Sequence, residues 1–535
     1  MSSLNVTRRR FIGTTIAAGS LATGAGPSRA QDAPRRGGVL IVAADGEPRN
    51  INPAIVASNG VFFMASKVIE PLAEMTPGGG FTPRLALSWQ GSADGRLVLF
   101  KLRPGVSWHD GKPFTSEDVA FSAMEVWKKL QNFGRVVFKN LEAVDTPDAT
   151  TAAFRFSAPT PLQLVENALP ALTSVLPKHI YAGTDIAANP ANVKLVGTGP
   201  FKFSEHRPGE YYRLERNPNY WDEGKPYLDG IIFRVMPDRG AIAAATEANQ
   251  IQLSAFSAVP LADMARIGKV PGVKVIADGY DGITYQLVVE INNARKELSD
   301  PRVRRAIAHA IDRTFVTDTI FLGTAKASNG PIPLFDKVMN DATLNPPRFD
   351  VARANALLDE AGYPRGAGGA RFSLRLLPAP WFEQTRQFGD YLKQALRAVG
   401  IDAQIVNNDP AAHTKAVYTD RAYDLAIGSP VYRNDPAIST TVLYESGIPP
   451  GVPFANQYNY KSEEMDGVIA KAASEIDPAR RVALYRDFQQ IANRDLPIIH
   501  VAEWTFITVA RDSVRNVANN PRWATSHWAD TWLSG

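Results

Sequence analysis

The sequence predicts an α/β protein with more than one domain. A strand, a helix and two further strands follow one another in residues 372–427, and a strand–helix–strand unit places its two strands parallel in one sheet. The chain has 535 residues, 45% of them hydrophobic, which is enough for about two to four domains with large cores. No run after the N-terminus approaches the ~20 apolar residues of a membrane span, so the pattern indicates a soluble mature protein.

The N-terminal half predicts several short strands. Residues 37–53 open with a β-rich run, and residues 58–72 are apolar at helical spacing. Short strand patterns follow between 81 and 157. The segment 215–229, which reads ERNPNYWDEGKPYLD, combines aromatic residues with Asn-Pro and Gly-Lys-Pro turn elements. We interpret this segment as scaffold that connects strands, not as a binding surface.

Three helices have clear boundaries in the sequence. The first begins in TSEDVAFSAMEVWKKL (115–130), where Thr115 and Asp118 fit a capping box before an apolar stripe. The second covers 299–316, with an aspartate cap followed by proline at the first helical position. The third covers 350–364 and ends in a glycine and a proline, as helices commonly do.

The predicted parallel unit at 372–427 also predicts where a ligand lies. In open α/β sheets, ligands bind beyond the carboxyl ends of the parallel strands. Two of these strand ends lead into the loops APWFEQ (379–384) and SPVYRNDPA (429–437). Both loops are therefore candidate ligand contacts.

The first 30 residues predict an export signal. TRRRFIG (7–13) is followed by a modestly apolar run and by PSRA before Gln31, which is the three-part pattern of a secretory signal. The pair Arg8-Arg9 with Phe11 is typical of a twin-arginine signal, and we expect cleavage after Ala30.

Charge and cysteine content exclude several classes of protein. Outside the four arginines of 1–30, the chain has 54 basic and 54 acidic residues, so its net charge gives no case for nucleic acid or an anionic membrane. The chain has no cysteine, which excludes disulfides, thiolate nucleophiles and an N-terminal lipid anchor on cysteine.

The sequence carries no strong catalytic motif. It lacks a G-x-S-x-G elbow, a phosphate-binding loop with its lysine, and H-E-x-x-H. Its seven histidines are isolated from one another, so their spacing predicts no metal site. The sequence contains too many carboxylates for a catalytic pair to be identified by inspection. A periplasmic glycosidase or peptidase therefore remains a rival interpretation.

Several stretches together carry a resemblance. The three longest are "FKLRPGVSWHDGKPFTSEDVAFSAMEVW" (100–127), "LVGTGPFKFSEHRPGEYYRLERNPNYWDEGKPYLDGIIFRVMPD" (195–238) and "SDPRVRRAIAHAIDRTFV" (299–316). In order and spacing, the mature chain resembles the extracellular solute-binding proteins of ABC importers, of the peptide- and nickel-binding class. The resemblance implies that the chain captures a solute and hands it to permease subunits in the inner membrane, without catalysis and without a cofactor or bound metal.

The resemblance also implies the architecture. Members have a bilobal α/β periplasmic-binding-protein fold, with a hinge between the lobes and an extra α+β domain. On this sequence, lobe I comprises 38–75, 195–280 and 500–535, the extra domain comprises 76–194, and lobe II comprises 281–499. We expect a monomer in the periplasm that is not lipid-anchored.

The sequence departs from the dipeptide binders of this class at two positions. In those proteins an arginine after the first strand of lobe II grips the ligand carboxylate, and an aspartate four residues before a proline grips the ammonium. Here these positions hold Ala379 and Tyr432. A dipeptide held at both charged ends is therefore disfavoured, unless Arg433 or Asp435 substitutes after a small loop shift.

Aromatic residues in the two loops suggest stacking surfaces for the solute. The solute is then a longer or modified peptide, an oligosaccharide, an opine-like compound or a metal chelate. A signalling receptor or a chaperone on the same fold also remains an alternative to transport. The predicted ligand-binding residues are Ser58, Asn59 and Phe62 in lobe I, Trp381, Phe382, Tyr432, Arg433, Asn434 and Asp435 in lobe II, and Asn456, Tyr458 and Trp504 as further contacts.

Overall fold

Two seven-stranded sheets and one four-stranded sheet organise the chain in the computed structural model, which describes residues 33–535. The predicted export signal at 1–30 lies outside the described residues. Residues Arg35–Gly535 form one compact unit. No helix within 33–535 has both the length and the apolar character of a membrane span.

The first large sheet combines one strand at 39–44, five strands between 201 and 276, and one strand at 508–511. Its central strand, Val39–Ala44, runs parallel to its two neighbours, and its Leu40 and Val42 are fully buried. Across the sheet, the strands are Val273–Ile276, Thr508–Arg511, Leu253–Ser254, Val39–Ala44, Gly230–Val235, Tyr211–Arg216 and Phe201–Arg207.

The four-stranded sheet is antiparallel and lies in the segment between strands of the first sheet. The capping box of Thr115 and Asp118 is confirmed, and it starts the helix Ser116–Phe121, which continues as the π-helix Ser122–Trp127. The buried Trp127 ring packs against Phe138 and Phe154. Across the sheet, the strands are Ala86–Gly91, Leu97–Leu102, Thr151–Phe156 and Leu141–Asp148.

The second large sheet contains the predicted parallel unit. Phe372–Pro378 pairs parallel with Ile401–Ile405 on one side and with Leu425–Gly428 on the other, and the helix Glu383–Ala398 connects the first two strands. Across the sheet, the strands are Ala325–Ala327, Ile498–Trp504, Thr284–Ile291, Leu425–Gly428, Phe372–Pro378 and Ile401–Ile405, with Val431–Tyr432 added on Thr284–Ile291.

The chain passes between the two large sheets through two short connections. Residues 277–283 join Val273–Ile276 of the first sheet to Thr284–Ile291 of the second, and residues 505–507 join Ile498–Trp504 to Thr508–Arg511. The division expected at residue 500 falls inside Ile498–Trp504. This strand pairs with Thr284–Ile291 on both sides of residue 500, so the sheet boundary lies at 505.

One predicted helix is shorter than expected. The segment 299–316 forms a helix only over Pro301–His309, and a separate short helix follows at Arg313–Phe315. The break has a local cause, because the Asp312 side chain accepts hydrogen bonds from the backbone N–H groups of Thr314 and Phe315 and so caps a new helix. The helix expected at 350–364 is confirmed over Val351–Glu360.

The scaffold interpretation of 215–229 agrees with its contacts. The hydroxyl of Tyr220 and the indole N–H of Trp221 donate to the two oxygens of the buried Glu70, at 2.8 and 2.9 Å. Arg84 pairs with the same carboxylate at 2.8 Å. The aromatic pair therefore holds a buried charge cluster inside the protein.

The remaining elements connect and cover the sheets. The other α-helices are Asn59–Ala65, Gly134–Val137, Leu162–Leu172, Lys178–Tyr181, Arg239–Glu247, Met264–Ile267, Pro410–Thr414, Pro436–Ser439, Glu463–Ser474 and Pro478–Asp495. Further short helices are Pro190–Asn192, Leu261–Asp263, Val316–Ile320, Lys415–Thr419, Thr441–Leu443 and Trp523–Thr525. Two strand pairs stand apart from the sheets: Ala73–Met75 with Phe81–Pro83, and Val514–Arg515 with Trp532–Leu533.

Candidate functional site

A cavity of about 330 Å³ lies at the carboxyl-end edge of the second sheet. Its wall includes parts of the loops 379–384 and 429–437. The opposite side is formed by residues 57–59, at the start of the helix Asn59–Ala65, and by Asn132 and Phe133 from the segment that carries the four-stranded sheet. The cavity therefore draws side chains from the surroundings of all three sheets.

The parallel unit explains why the two loops meet. Phe372–Pro378 and Leu425–Gly428 are parallel neighbours, so their carboxyl ends lie at the same edge. The backbone N–H of Ala379 donates to the carbonyl of Ile427 at 3.0 Å, which fixes the start of the first loop against the second strand. The Thr385 hydroxyl bonds the carbonyls of Ala379 and Phe382 at 2.6 Å, which holds this loop in a compact turn.

Aromatic side chains form much of the wall. Trp381 and Phe382 border the cavity, and Phe382 contacts the ring of Tyr285 edge-on at a centroid distance of 5.5 Å. Trp504 lies behind this pair, 5.7 Å from both rings. Trp381 packs edge-on against His413 at 5.1 Å, and burial lowers the pKa of His413 to about 4, so that a neutral imidazole supports the indole.

Arg433 is the charged residue of the wall. Its side chain is largely buried, its Nη2 donates to the carbonyl of Ala57 at 3.2 Å, and its guanidinium lies over the Phe133 ring at 4.1 Å. Nearby, the Asn59 amide donates to the Tyr285 hydroxyl at 3.2 Å. Burial lowers the pKa of Arg433 and raises that of Tyr285, because each charged form loses water there.

Asp435, predicted as a ligand contact, is committed to an internal ion pair. Its carboxylate receives two hydrogen bonds of 2.7 Å from the Arg481 guanidinium, in a fork geometry, and a third of 3.2 Å from the Asn167 amide. It also caps the short helix Pro436–Ser439 by accepting from Ala437 N–H at 2.9 Å. The structure does not bring Asp435 to the cavity, because these donors consume its acceptor positions.

Tyr432 and Asn434 also point away from the cavity. The Tyr432 hydroxyl donates to Asp336 at 2.6 Å, and its ring contacts Phe335. Asn434 has a positive φ of 63°, and its side-chain amide lies 3.2 Å from the sulfur of Met75, which is not part of the cavity wall.

The remaining predicted residues divide between the wall and the interior. Ser58 and Asn59 border the cavity, whereas Phe62 packs in the core beneath that helix. Asn456 holds the carbonyls of Glu445 and Tyr460, and Tyr458 is fully buried. Five predicted residues therefore line the cavity: Ser58, Asn59, Trp381, Phe382 and Arg433.

Sequence reasoning missed several wall residues. Asn132 and Phe133 lie in a predicted helix-to-strand connection, and no pattern in the sequence relates this connection to residue 433. Tyr285 is the second residue of the largely buried strand Thr284–Ile291, and in the sequence it reads as core. The other unanticipated residues are Ala57, Ser429, Pro430, Val431, Ser439, Leu443 and Phe454, of which 429–431 fall within a loop that was predicted to contribute.

A cavity enclosed by loops from two α/β sheets, which are joined by two short connections, is the arrangement of a ligand-binding protein. Residues 80–467 match the family described as bacterial extracellular solute-binding proteins, family 5 Middle, and the chain belongs to this family.

Known proteins of similar sequence and structure are binding proteins. The dipeptide-binding protein of Escherichia coli strain K12 is 25% identical over 509 residues, which cover 90% of this chain and 92% of that protein. The ABC transporter substrate-binding protein CtaP of Listeria monocytogenes superposes with a TM-score of 0.81 at 25% identity, over 94% of this chain and 100% of that one. The oligopeptide-binding protein AppA of Bacillus subtilis, solved with a nonapeptide, shares the fold with a TM-score of 0.78 at 23% identity, over 94% of this chain and 100% of that one.

Proposed function

We propose that this protein is the periplasmic solute-binding component of an ABC importer, which captures a peptide or related small solute between two lobes and delivers it to a membrane permease. Lobe I is built on the first sheet and lobe II on the second. The observation that carries the proposal is the cavity, whose wall combines residues 57–59 of lobe I with Trp381, Phe382 and Arg433 of lobe II.

Binding at such a wall drives closure by differential affinity. A solute that touches both lobes interacts more strongly with a closed arrangement than with an open one, so it shifts the equilibrium between them. The connections 277–283 and 505–507 are the segments about which the lobes rotate. The closed form is the one the permease recognises, and no bond in the solute is broken.

The rest of the proposal concerns export and assembly. The twin-arginine pattern at Arg8-Arg9 supports export to the periplasm, and the absence of cysteine is consistent with a mature protein that has no lipid anchor on cysteine. The protein acts as a monomer, and it binds no nucleic acid. A cleaved N-terminus beginning at Gln31 in the periplasmic fraction tests this part.

A second candidate is a solute other than a free dipeptide. Ala379 and Tyr432 stand where the dipeptide binders of this class hold charged anchors, and Asp435 is occupied by Arg481. The site therefore lacks a free carboxylate for an ammonium group at these positions. This observation favours a modified peptide, an opine-like compound or an oligosaccharide over a zwitterionic dipeptide.

Native mass spectrometry of the protein as purified tests both candidates. We expect a bound small solute whose mass identifies its class and which is lost on mild denaturation. A protein that carries no solute, and that is stabilised by none of a broad panel of peptides, sugars and opines in a thermal-shift screen, contradicts the proposed function. A bound ligand at 100 times its dissociation constant adds about 2.7 kcal/mol, which such a screen resolves.

Replacing Trp381 by alanine is expected to weaken solute binding at least tenfold, about 1.4 kcal/mol, with little change in the thermal midpoint of the free protein. Trp381 borders the cavity and is only partly buried, so its loss removes ligand contact more than core packing. Titration calorimetry measures the affinity. Phe349→Ala, at an exposed aromatic that is not part of the wall, is the control, and equal affinities for the two variants remove Trp381 from the site.

A further inference from the structure

Two buried arginines have no carboxylate partner within the described chain, and one of them, Arg433, borders the cavity. Arg433 and Arg522 are only 9% and 6% exposed, and within residues 33–535 neither forms an ion pair. Each has one hydrogen bond to a backbone carbonyl, from Arg433 to Ala57 at 3.2 Å and from Arg522 to Gly282 at 2.6 Å. The Nε of each guanidinium is buried without any partner. Both cations therefore have unused hydrogen-bonding capacity and no carboxylate counter-charge, and within the described chain the only other contact of the Arg433 charge is with the face of the Phe133 ring.

The three other arginines that are buried within residues 33–535 are compensated. Arg481 is paired with Asp435, and Arg84 is paired with Glu70. Arg304 has no carboxylate partner, but its Nε, Nη1 and Nη2 all donate to backbone carbonyls. Among the arginines of residues 33–535, the Nε atoms of Arg84, Arg421 and Arg511 are also buried without a partner, but Arg433 and Arg522 combine this with a single hydrogen bond and no carboxylate partner.

The two unpaired charges act on each other and on the wall. The charge of Arg433 adds to burial in lowering the pKa of Arg522, so the two guanidinium groups repel one another. Tyr285 borders the cavity, and burial raises its pKa. The positive charges of Arg433 and Arg522 act in the opposite direction and lower that pKa. Two like charges that reinforce each other in a buried region create a positive potential, which a negative group relieves.

The other residues of the cavity wall restrict which class of solute can carry that negative group. Within the described chain, no Asp, Glu or Lys borders the cavity, so it offers no counter-charge for an ammonium group. Ser439 borders the cavity as well, and its hydroxyl is buried without a partner, which adds a neutral donor. Trp381, Phe382 and Phe133 supply apolar and aromatic surface.

We propose that the cavity takes an anionic solute, in which a carboxylate is carried on an apolar body that has no ammonium group. Arg433 borders the cavity and is the direct counter-ion, whereas Arg522 does not border it and contributes only a more distant positive charge. This inference rests on the proposed function and names the solute class of the same site. It differs from two-ended dipeptide binding, because only the negative end of the solute is recognised by charge.

Matched solutes separate charge from shape. N-acetyl-Leu-Phe and hydrocinnamate are compared with their carboxamides, and Leu-Phe amide serves as the cation, each titrated by calorimetry into the full-length mature protein. We expect each acid to bind at least tenfold more tightly than its carboxamide, and the cation to bind weakest. Equal affinity for acid and carboxamide, or a preference for the cation, overturns the inference.

Variants of Arg433 test the assigned counter-ion. Arg433→Met keeps the apolar stem and removes the charge, so it is expected to reduce acid affinity at least tenfold while leaving carboxamide affinity unchanged. Arg433→Lys keeps the charge and should retain part of the preference. Arg386→Gln, at an exposed arginine on the helix that follows the loop 379–384, is the control and should change nothing. A preference for acids that persists in Arg433→Met overturns the assignment.

If none of the probe solutes binds, a stability measurement on the free protein still tests the inference. Without ligand, Arg433→Met is expected to raise the thermal midpoint because it removes an uncompensated buried charge, and a lowered midpoint contradicts the inference. The outcomes also separate the two proposals. Solutes that bind without charge preference overturn only the anion inference, whereas a protein that binds no solute of any charge, and carries none as purified, overturns the proposed function with it.

Discussion

Replacing Arg481 by methionine is expected to lower the free energy of unfolding by about 3–5 kcal/mol. The guanidinium of Arg481 and the carboxylate of Asp435 are 2.7 Å apart, and their side chains are 1% and 0% exposed. The substitution leaves the Asp435 charge in the interior with only the Asn167 amide and one backbone N–H as donors. The cost is that of an unpaired buried carboxylate, which is why it far exceeds the effect of losing a surface ion pair.

Urea denaturation followed by tryptophan fluorescence measures this effect. Arg480→Met is the matched control, because it changes the neighbouring arginine on the same helix, whose side chain is 72% exposed. Combining Arg481→Met with Asp435→Asn should cost clearly less than the sum of the two single changes, because the double variant leaves no charge unpaired. If Arg481→Met and Arg480→Met unfold at the same urea concentration, the ion pair does not stabilise the fold.

Replacing Glu290 by glutamine is expected to stabilise the protein by about 3 kcal/mol at pH 8 and to have little effect near pH 4. Glu290 lies on the central strand Thr284–Ile291, and burial raises its pKa from 4.5 to about 7, although Gln457 and Tyr458 partly oppose the rise. Between these two values the folded protein holds a proton that the unfolded chain has released. Below about pH 4.5, Glu290 therefore does not lower the free energy of unfolding. As the pH rises from there to about 7, that free energy falls, and above pH 7 Glu290 causes no further loss.

The test compares thermal midpoints of parent and variant from pH 4 to pH 8. Subtracting the two curves isolates Glu290 from other groups that titrate in the same range, such as Glu503, whose pKa burial also raises to about 7. Glu223→Gln, at an exposed glutamate, is the control. A difference between parent and Glu290→Gln that does not change with pH shows that Glu290 has an ordinary pKa.

Local patterns in the sequence predicted the parallel unit and the loops of the site. The alternation of strand and helix in 372–427 defines which strand ends share an edge, so the loops that carry Trp381, Phe382 and Arg433 were predicted from connectivity alone. The capping box at Thr115 was predicted for the same reason, because all its atoms lie within four residues.

Partners that are distant in sequence could not be predicted in this way. Asp435 and Tyr432 were predicted to face the solute, yet their partners Arg481 and Asp336 lie 46 and 96 residues away, and no periodicity reports such pairings. Phe133 reaches the cavity from the segment that forms the four-stranded sheet. The resemblance to known solute-binding proteins implied the architecture, but it could not show which polar side chains are already satisfied inside the protein.

The position of the strand Thr508–Arg511 has a consequence for biosynthesis. This strand lies between Val273–Ile276 and Leu253–Ser254, so the sheet that starts at Val39 is completed only after residues 508–511 have been synthesised. Strand pairing over more than 200 residues of intervening chain is slow to form, because the loop must close before any contact stabilises it. Until then the nascent chain exposes two unpaired strand edges, and such edges favour aggregation and chaperone binding during synthesis.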